Sequence, residues 1–200
     1  MFVQVFHGKV NDREAMRKQF EMWAQNVKPG AIGYLGSTGG VTEDGEFVAA
    51  ARFESEEAAR RNSERPEQDE WWRETAQLFE GEPKFHDYTN VRLGKDGGSD
   101  DAGFVQVMHG KVNDVDKAQE LSDRMDEFMP DLRPDVIGSV DAWKDNGGFT
   151  SFIYFTSEAE ARENEKKEMP AEVQEQMNQW TEITEEIQFF DLKDPWFSSP

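Results

Sequence analysis

Phe2-Val3-Gln4-Val5-Phe6-His7-Gly8-Lys9-Val10-Asn11-Asp12 returns as Phe104-Val105-Gln106-Val107-Met108-His109-Gly110-Lys111-Val112-Asn113-Asp114, and only Phe6/Met108 differs. A run repeated half a chain apart marks a duplication, so the architecture is the sum of two similar units. The match continues at Pro29/Pro134, Ile32/Ile137, Gly33/Gly138, Phe47/Phe149, Phe53/Phe155, Ser55/Ser157, Arg60/Arg162, Asn62/Asn164, Pro66/Pro170, Phe85/Phe189 and Asp87/Asp191. Residues 94–103, rich in glycine and aspartate, read as a linker between a first unit over 1–93 and a second over 104–200.

Within the first unit, residues 2–8 alternate as a strand, with Val3, Val5 and His7 on one face and Phe2, Gln4 and Phe6 on the other. Asn11, three residues before Glu14, signals a helix whose apolar positions are Met16, Phe20, Trp23 and Val27, stopped by Lys28-Pro29-Gly30. A strand over 31–37, a turn from Gly39-Gly40 to Asp44-Gly45 and a strand over 47–54 follow. Ser55 caps a second helix, which Pro66 interrupts and Trp72, Ala76 and Phe79 resume, and a strand over 84–92 ends the unit. The second unit repeats this order, giving βαββαβ twice: an α+β chain of two ferredoxin-like units in tandem. Such a unit covers one sheet face with helices and leaves the other bare. Joining the bare faces buries both, so the expected architecture is an intrachain dimeric α+β barrel, a pseudo-dimer within one chain, with a further homodimer possible.

The formal charge is −20, divided as −6 over residues 1–100 and −14 over 101–200. Such a surface repels phosphate backbones and anionic headgroups, which argues against nucleic acid and membrane partners. The absence of cysteine excludes disulfides and thiolate chemistry, and no apolar run reaches membrane-spanning length, so a soluble cytoplasmic protein is expected. Three histidines without cysteine give no zinc spacing, and neither a Gly-x-Gly-x-x-Gly fingerprint, a P-loop nor a Gly-x-Ser-x-Gly elbow occurs. The expectation is no metal and no cofactor.

The polar positions shared by both copies carry the candidate chemistry. His7 and His109, at the ends of equivalent strands, can act as base or acid near neutral pH; the plainer reading is a rim histidine bonded to the backbone. Asn62 and Asn164 precede the proline break and can orient a carbonyl or oxyanion, or simply stop the helix. Arg60, Arg65, Trp72 and Trp180 are candidate substrate contacts, Trp72 as a pocket wall or as core. Ala49-Ala50-Ala51 stands where the second unit has Ser151-Phe152-Ile153, and Gly36 is aligned with Asp141, so the larger cavity is expected in the first unit.

The duplicated βαββαβ order, the His-Gly-Lys strand end and the run Phe53-Glu54-Ser55-Glu56-Glu57-Ala58-Ala59-Arg60-Arg61-Asn62, echoed from Phe155 to Asn164, resemble the antibiotic biosynthesis monooxygenase family. The resemblance implies a dimeric α+β barrel, here built from one chain. It also implies a small apolar or aromatic ligand held between sheet and helices, and oxidation of aromatic or polyketide-like substrates by dioxygen without metal or flavin. His7 then serves as proton acceptor, Asn62 as orienting donor and Trp72 as wall. Some members degrade haem with an asparagine on the first strand and a tryptophan and histidine on the second helix. Here His7 replaces that asparagine and the helix has no histidine. A non-catalytic ligand-binding or stress-related barrel, or a haem-binding protein, are the alternatives.

Overall fold

The computed structural model describes residues 1–95 and 97–200; Asp96, inside the expected linker, lies outside the described residues. Two compact units divide the chain: Met1–Val91 together with Asp194–Pro200, and Arg92–Lys193.

The first unit contains β1 (Phe2–Lys9), α1 (Arg13–Met22), β2 (Tyr34–Val41), β3 (Glu46–Phe53), α2 (Glu56–Ser63), α3 (Pro66–Ala76) and β4 (Lys84–Tyr88). The next strand, β5 (Asn90–Gly94), edges the other sheet. The second unit adds β6 (Phe104–Val112), α4 (Val115–Leu132), β7 (Val136–Trp143), β8 (Gly148–Phe155), α5 (Glu158–Asn164), α6 (Ala171–Ile183) and β9 (Thr184–Leu192). The last strand, β10 (Trp196–Ser198), returns to the first sheet, so the strand orders are β10-β2-β3-β1-β4 and β5-β7-β8-β6-β9. The single strand expected over 84–92 is thus two strands in two sheets, and Ser198 was not read as a strand residue at all. No helix among the described residues is long and apolar enough to cross a membrane.

Alternation positions everything that follows. On β1, Phe2, Gln4 and Phe6 lie opposite Phe53, Ala51 and Ala49 of β3, and Ala51 and Ala49 lie opposite Ser37 and Gly39 of β2. Directly paired residues share a sheet face, so this set forms one surface, against which pack Met16 and Phe20 of α1, Trp23 just beyond its end, and Trp71 and Trp72 of α3. Val3, Val5 and His7 point to the opposite face and are buried.

Local chemistry sets the boundaries. Asp12, one residue later than expected, caps α1: its Oδ1 accepts from Ala15 N at 3.0 Å. Instead of stopping at Lys28, the helix loosens into a π turn over Trp23–Val27 before the Lys28–Gly30 3₁₀ turn. Gly39 and Gly40, expected in a turn, lie inside β2. A side chain at Gly39 would press on Ala49 Cβ and Phe20, which explains why a strand interior tolerates glycine here. The actual β2–β3 turn runs over Thr42–Gly45, with Gly45 at φ 87°. Thr42 Oγ1 donates to the Asp44 carboxylate and accepts from Glu46 N at 2.9 Å.

β10 anchors the outer edge of the first sheet. Trp196 is 4% exposed and packs on Phe20 and Phe47 at ring separations of 5.9 and 6.3 Å. The Tyr34 hydroxyl donates to Ser198 O at 2.9 Å, and Arg17 meets the Asp194 carboxylate at 3.1 Å. Truncating a buried tryptophan removes its contacts and leaves a void, so Trp196→Ala is expected to cost the first unit about 3–5 kcal/mol in urea unfolding. The hydrogen bond from Thr42, aided by Lys9, holds the Asp44 carboxyl below its ordinary value. A depressed folded pKa stabilises above the ordinary carboxylate range, and that contribution fades as pH falls through the folded value. Thr42→Val is therefore expected to raise the Asp44 pKa, seen by carboxyl NMR titration, and to flatten this part of the acid unfolding profile.

Candidate functional site

Large side chains on the helices face small ones on the sheet in the first unit, and the mismatch leaves a cavity of about 310 Å³ between the two layers. Its floor is Gln4, Ser37, Ala49 and Ala51; its walls include Phe6, Phe20, Trp23, Trp71 and Trp72. This is the lower end of the size range of small-molecule pockets. Phe6 meets Trp72 edge-on at 5.6 Å and stacks with Phe85 at the same distance, and Trp72 meets Phe85 at 5.2 Å. Phe85 is 46% exposed and, with Ser63 and Asp69, marks the rim. Asp69, paired with Arg73 at 3.2 Å, is the charged residue among the described ones that line the cavity.

One end of this apolar space is polar by construction. Pro66 opens α3 at a position that needs no backbone N–H, so α2 and α3 meet at an angle around Arg65, whose backbone is extended. Arg65 reaches back across the break: Nη1 donates to Asn62 Oδ1 at 2.9 Å and Nη2 to Val27 O, at the end of the π turn, at 3.0 Å. The neighbouring Gly30 has no room for a side chain beside this guanidinium. With its oxygen held, Asn62 is 6% exposed and donates from Nδ2 to Gln68 Oε1 at 3.2 Å, while Trp23 Nε1 donates to the same oxygen at 2.7 Å. Two donors on one oxygen fix the Gln68 amide in a single orientation. Its NH₂ group makes no hydrogen bond with the described residues, and Asn62 keeps a second N–H beyond the one given to Gln68. Both side chains line the cavity, so they present neutral donors to whatever occupies it.

The structure brings some of the expected site residues together and separates others. Asn62 and Trp72 line the cavity. Arg65 stands behind Asn62 as its support. Arg60 lies 55% exposed on α2, held by Glu57 at 2.8 Å and Glu64 at 2.5 Å, with its guanidinium pKa raised chiefly by Glu57. His7 does not share the cavity with Asn62, because residue 7 has the opposite parity to Gln4 and Phe6 and points through the far side of the sheet. There its Nε2 lies 3.2 Å from His86 Nε2. In the second unit His109 Nδ1 bonds Thr150 Oγ1 at 2.8 Å, Trp180 stacks on Trp143 at 6.0 Å, and Asn164 ends α5. Gln68 was missed by sequence reasoning. It has no counterpart in the matched motif, and only the bend at Pro66 turns it towards Trp23.

The second unit carries larger side chains at the equivalent registers. Ile153 stands opposite Gln106 as Ala51 stands opposite Gln4, and it packs against Phe104, Val136, Phe155 and Ala161. Arg162 lies over the Phe104 ring at 5.1 Å and pairs with Asp191. Strand pairing also corrects two alignments: Asp141, opposite Ser151, corresponds to Gly39, opposite Ala49, and not to Gly36; and Gly138, opposite Tyr154, corresponds to Gly36, opposite Arg52, and not to Gly33. Copying the second unit by Ala51→Ile is therefore expected to shrink the cavity, read as loss of xenon-induced NMR shifts at its apolar lining residues. Unfolding stability should change little, because the added carbons enter a void.

No protein-family model and no curated protein sequence matches the chain. Solved structures do. Two proteins named "putative monooxygenase" superpose over 99% of this chain: one from Fusobacterium nucleatum, at TM-score 0.75, 10% identity and 94% of its own length, and one from Lactobacillus acidophilus, at TM-score 0.73, 14% identity and 95% of its length. An anthrone oxidase-like protein superposes over the whole chain and 94% of its own, at TM-score 0.69 and 7% identity. At such identities the likeness is one of architecture: the chain shares the α+β fold of these proteins, with two ferredoxin-like units in tandem.

Proposed function

We propose that the first unit binds a flat aromatic substrate of the anthrone or quinol type and that the protein is a cofactor-independent monooxygenase. The observation that carries this reading is the cavity itself: aromatic walls for stacking, a floor of small residues, and the neutral donors of Asn62 and Gln68 at one end. Shared architecture with an anthrone oxidase-like protein supports it.

The chemistry asks little of the chain. Ionising an anthrone-like substrate spreads negative charge onto its ring oxygen, and N–H donors already oriented towards that oxygen lower the cost. The proton passes to Asp69 or to water at the rim. The electron-rich anion reduces dioxygen, a carbon–oxygen bond forms, and the hydroperoxide loses water to leave a ketone. One oxygen atom enters the product and the other leaves as water. Trp72, Trp23 and Phe6 hold the ring plane and keep water from the reacting carbon. Asn62 thus keeps the orienting role expected of it and Trp72 that of a wall, Gln68 joins Asn62 as a donor, and His7 takes no part in this pocket.

A second reading, a ligand-binding protein without turnover, is favoured by one specific observation: the histidine expected to act as base lies on the other face of the sheet. An oxygen electrode with a panel of anthrones and naphthoquinols separates the two. For the enzyme, consumption tracks ketone formation, and Asn62→Ala and Gln68→Ala each lower kcat by about 10²-fold, as for loss of one oxyanion donor. His7→Ala should leave the rate unchanged. Tryptophan quenching by these compounds with no oxygen uptake above the uncatalysed rate would establish the binding protein instead.

A further inference from the structure

We infer that His7 and His86 form a site for a divalent transition-metal ion of the zinc class, on the sheet face away from the cavity. The sequence gives no hint of it, because the residues are far apart along the chain and follow no ligand spacing. Strand pairing makes the site. β4 runs antiparallel to β1, with Val5 opposite His86 and His7 opposite Lys84, so the two imidazoles lie diagonally on one face. The rings stack at 5.3 Å with an interplanar angle of 11°, and the Nε2 atoms converge to 3.2 Å. His7 is 6% exposed.

That spacing suits an ion. Zinc binds imidazole nitrogen at about 2.05 Å, and two nitrogens at this separation then subtend about 100° at the metal, close to a tetrahedral angle. Two rings cannot approach so closely with both protonated at these atoms, so the pair has at most one proton between them. For both to ligate, the ring that donates here carries its proton on Nδ1, and the ion takes the vacated place. Binding therefore needs neutral imidazoles and weakens as pH falls below the histidine range. Two nitrogen donors favour zinc, copper, nickel or cobalt over magnesium or calcium, which take oxygen ligands.

The second unit supplies the control. His86 lies opposite Val5 just as Phe190 lies opposite Val107, so the fold itself builds phenylalanine at this register. His86→Phe thus removes one ligand while keeping a side chain the strand accommodates. The experiment is calorimetric titration of chelator-treated protein with ZnCl₂ in 0.5 M NaCl, a concentration that screens the surface carboxylates. It is paired with imidazole-proton NMR of the three histidines. The expected result is one saturable equivalent per chain, shifts in the His7 and His86 ring signals on addition of zinc, and loss of the saturable step in His86→Phe and His7→Gln. No saturable binding by the wild-type protein, or binding that persists in both variants, overturns the assignment. Should either variant fail to fold, unmoved His7 and His86 signals in zinc-saturated wild-type protein would overturn it alone. The site is independent of the oxygenase reading, since oxygen uptake reports on the opposite face.

Discussion

Size mismatch across two packed layers is the constraint on which the first unit depends. Protein interiors close to near-crystalline density when facing side chains interdigitate. Here α1, the π turn after it and α3 present Phe20, Trp23, Trp71 and Trp72, while the sheet beneath presents Ala49 and Ala51, too short to fill the space between the layers. The aromatic rings contact one another instead, edge-on or tilted, and prop the layers apart. The void is thus a consequence of packing bulk against bulk on one layer only. The second unit, with Ile153 and Ser151 at the same registers, has the side chains to close it.

A void alone would be indifferent to its contents. Selectivity enters through the polar end, where three irregularities meet: the π turn at Trp23–Val27, the proline break before α3, and the buried amide of Asn62. Each leaves backbone or side-chain groups to be satisfied, and Arg65 satisfies two of them at once, capping Val27 O and Asn62 Oδ1. What it leaves over is donors. The spare N–H groups of Asn62 and Gln68 at this end are uncharged, and they favour an acceptor oxygen on an otherwise apolar molecule without the desolvation cost of burying a cation.

The opposite sheet face follows a different logic. Strand parity sends His7 there with Val3 and Val5, and the β1–β4 register brings His86 beside it. In the chain these histidines look like isolated rim residues. Their convergence depends on a pairing offset that no local pattern encodes, since slipping β4 by one residue would send His86 to the helix side.

Much of the architecture was legible because it rests on local rules. The repeated strand, the capping serines, the proline break and the alternation of Phe2, Gln4 and Phe6 fixed the βαββαβ order, and the alanines of β3 pointed to space in the first unit. The same alternation, followed strictly, already set His7 apart from Phe6. Tertiary pairing decided the rest: that Trp196 closes the first sheet, that residues 84–94 divide between two sheets at Thr89, that Gly39 lies in a strand, and that Gln68 turns towards Asn62. Periodicity and capping act within one turn or one strand and leave their mark in sequence. Which strand meets which edge, and which side chain meets another across a helix break, is settled only by the summed packing of distant segments, for which the chain carries no local sign.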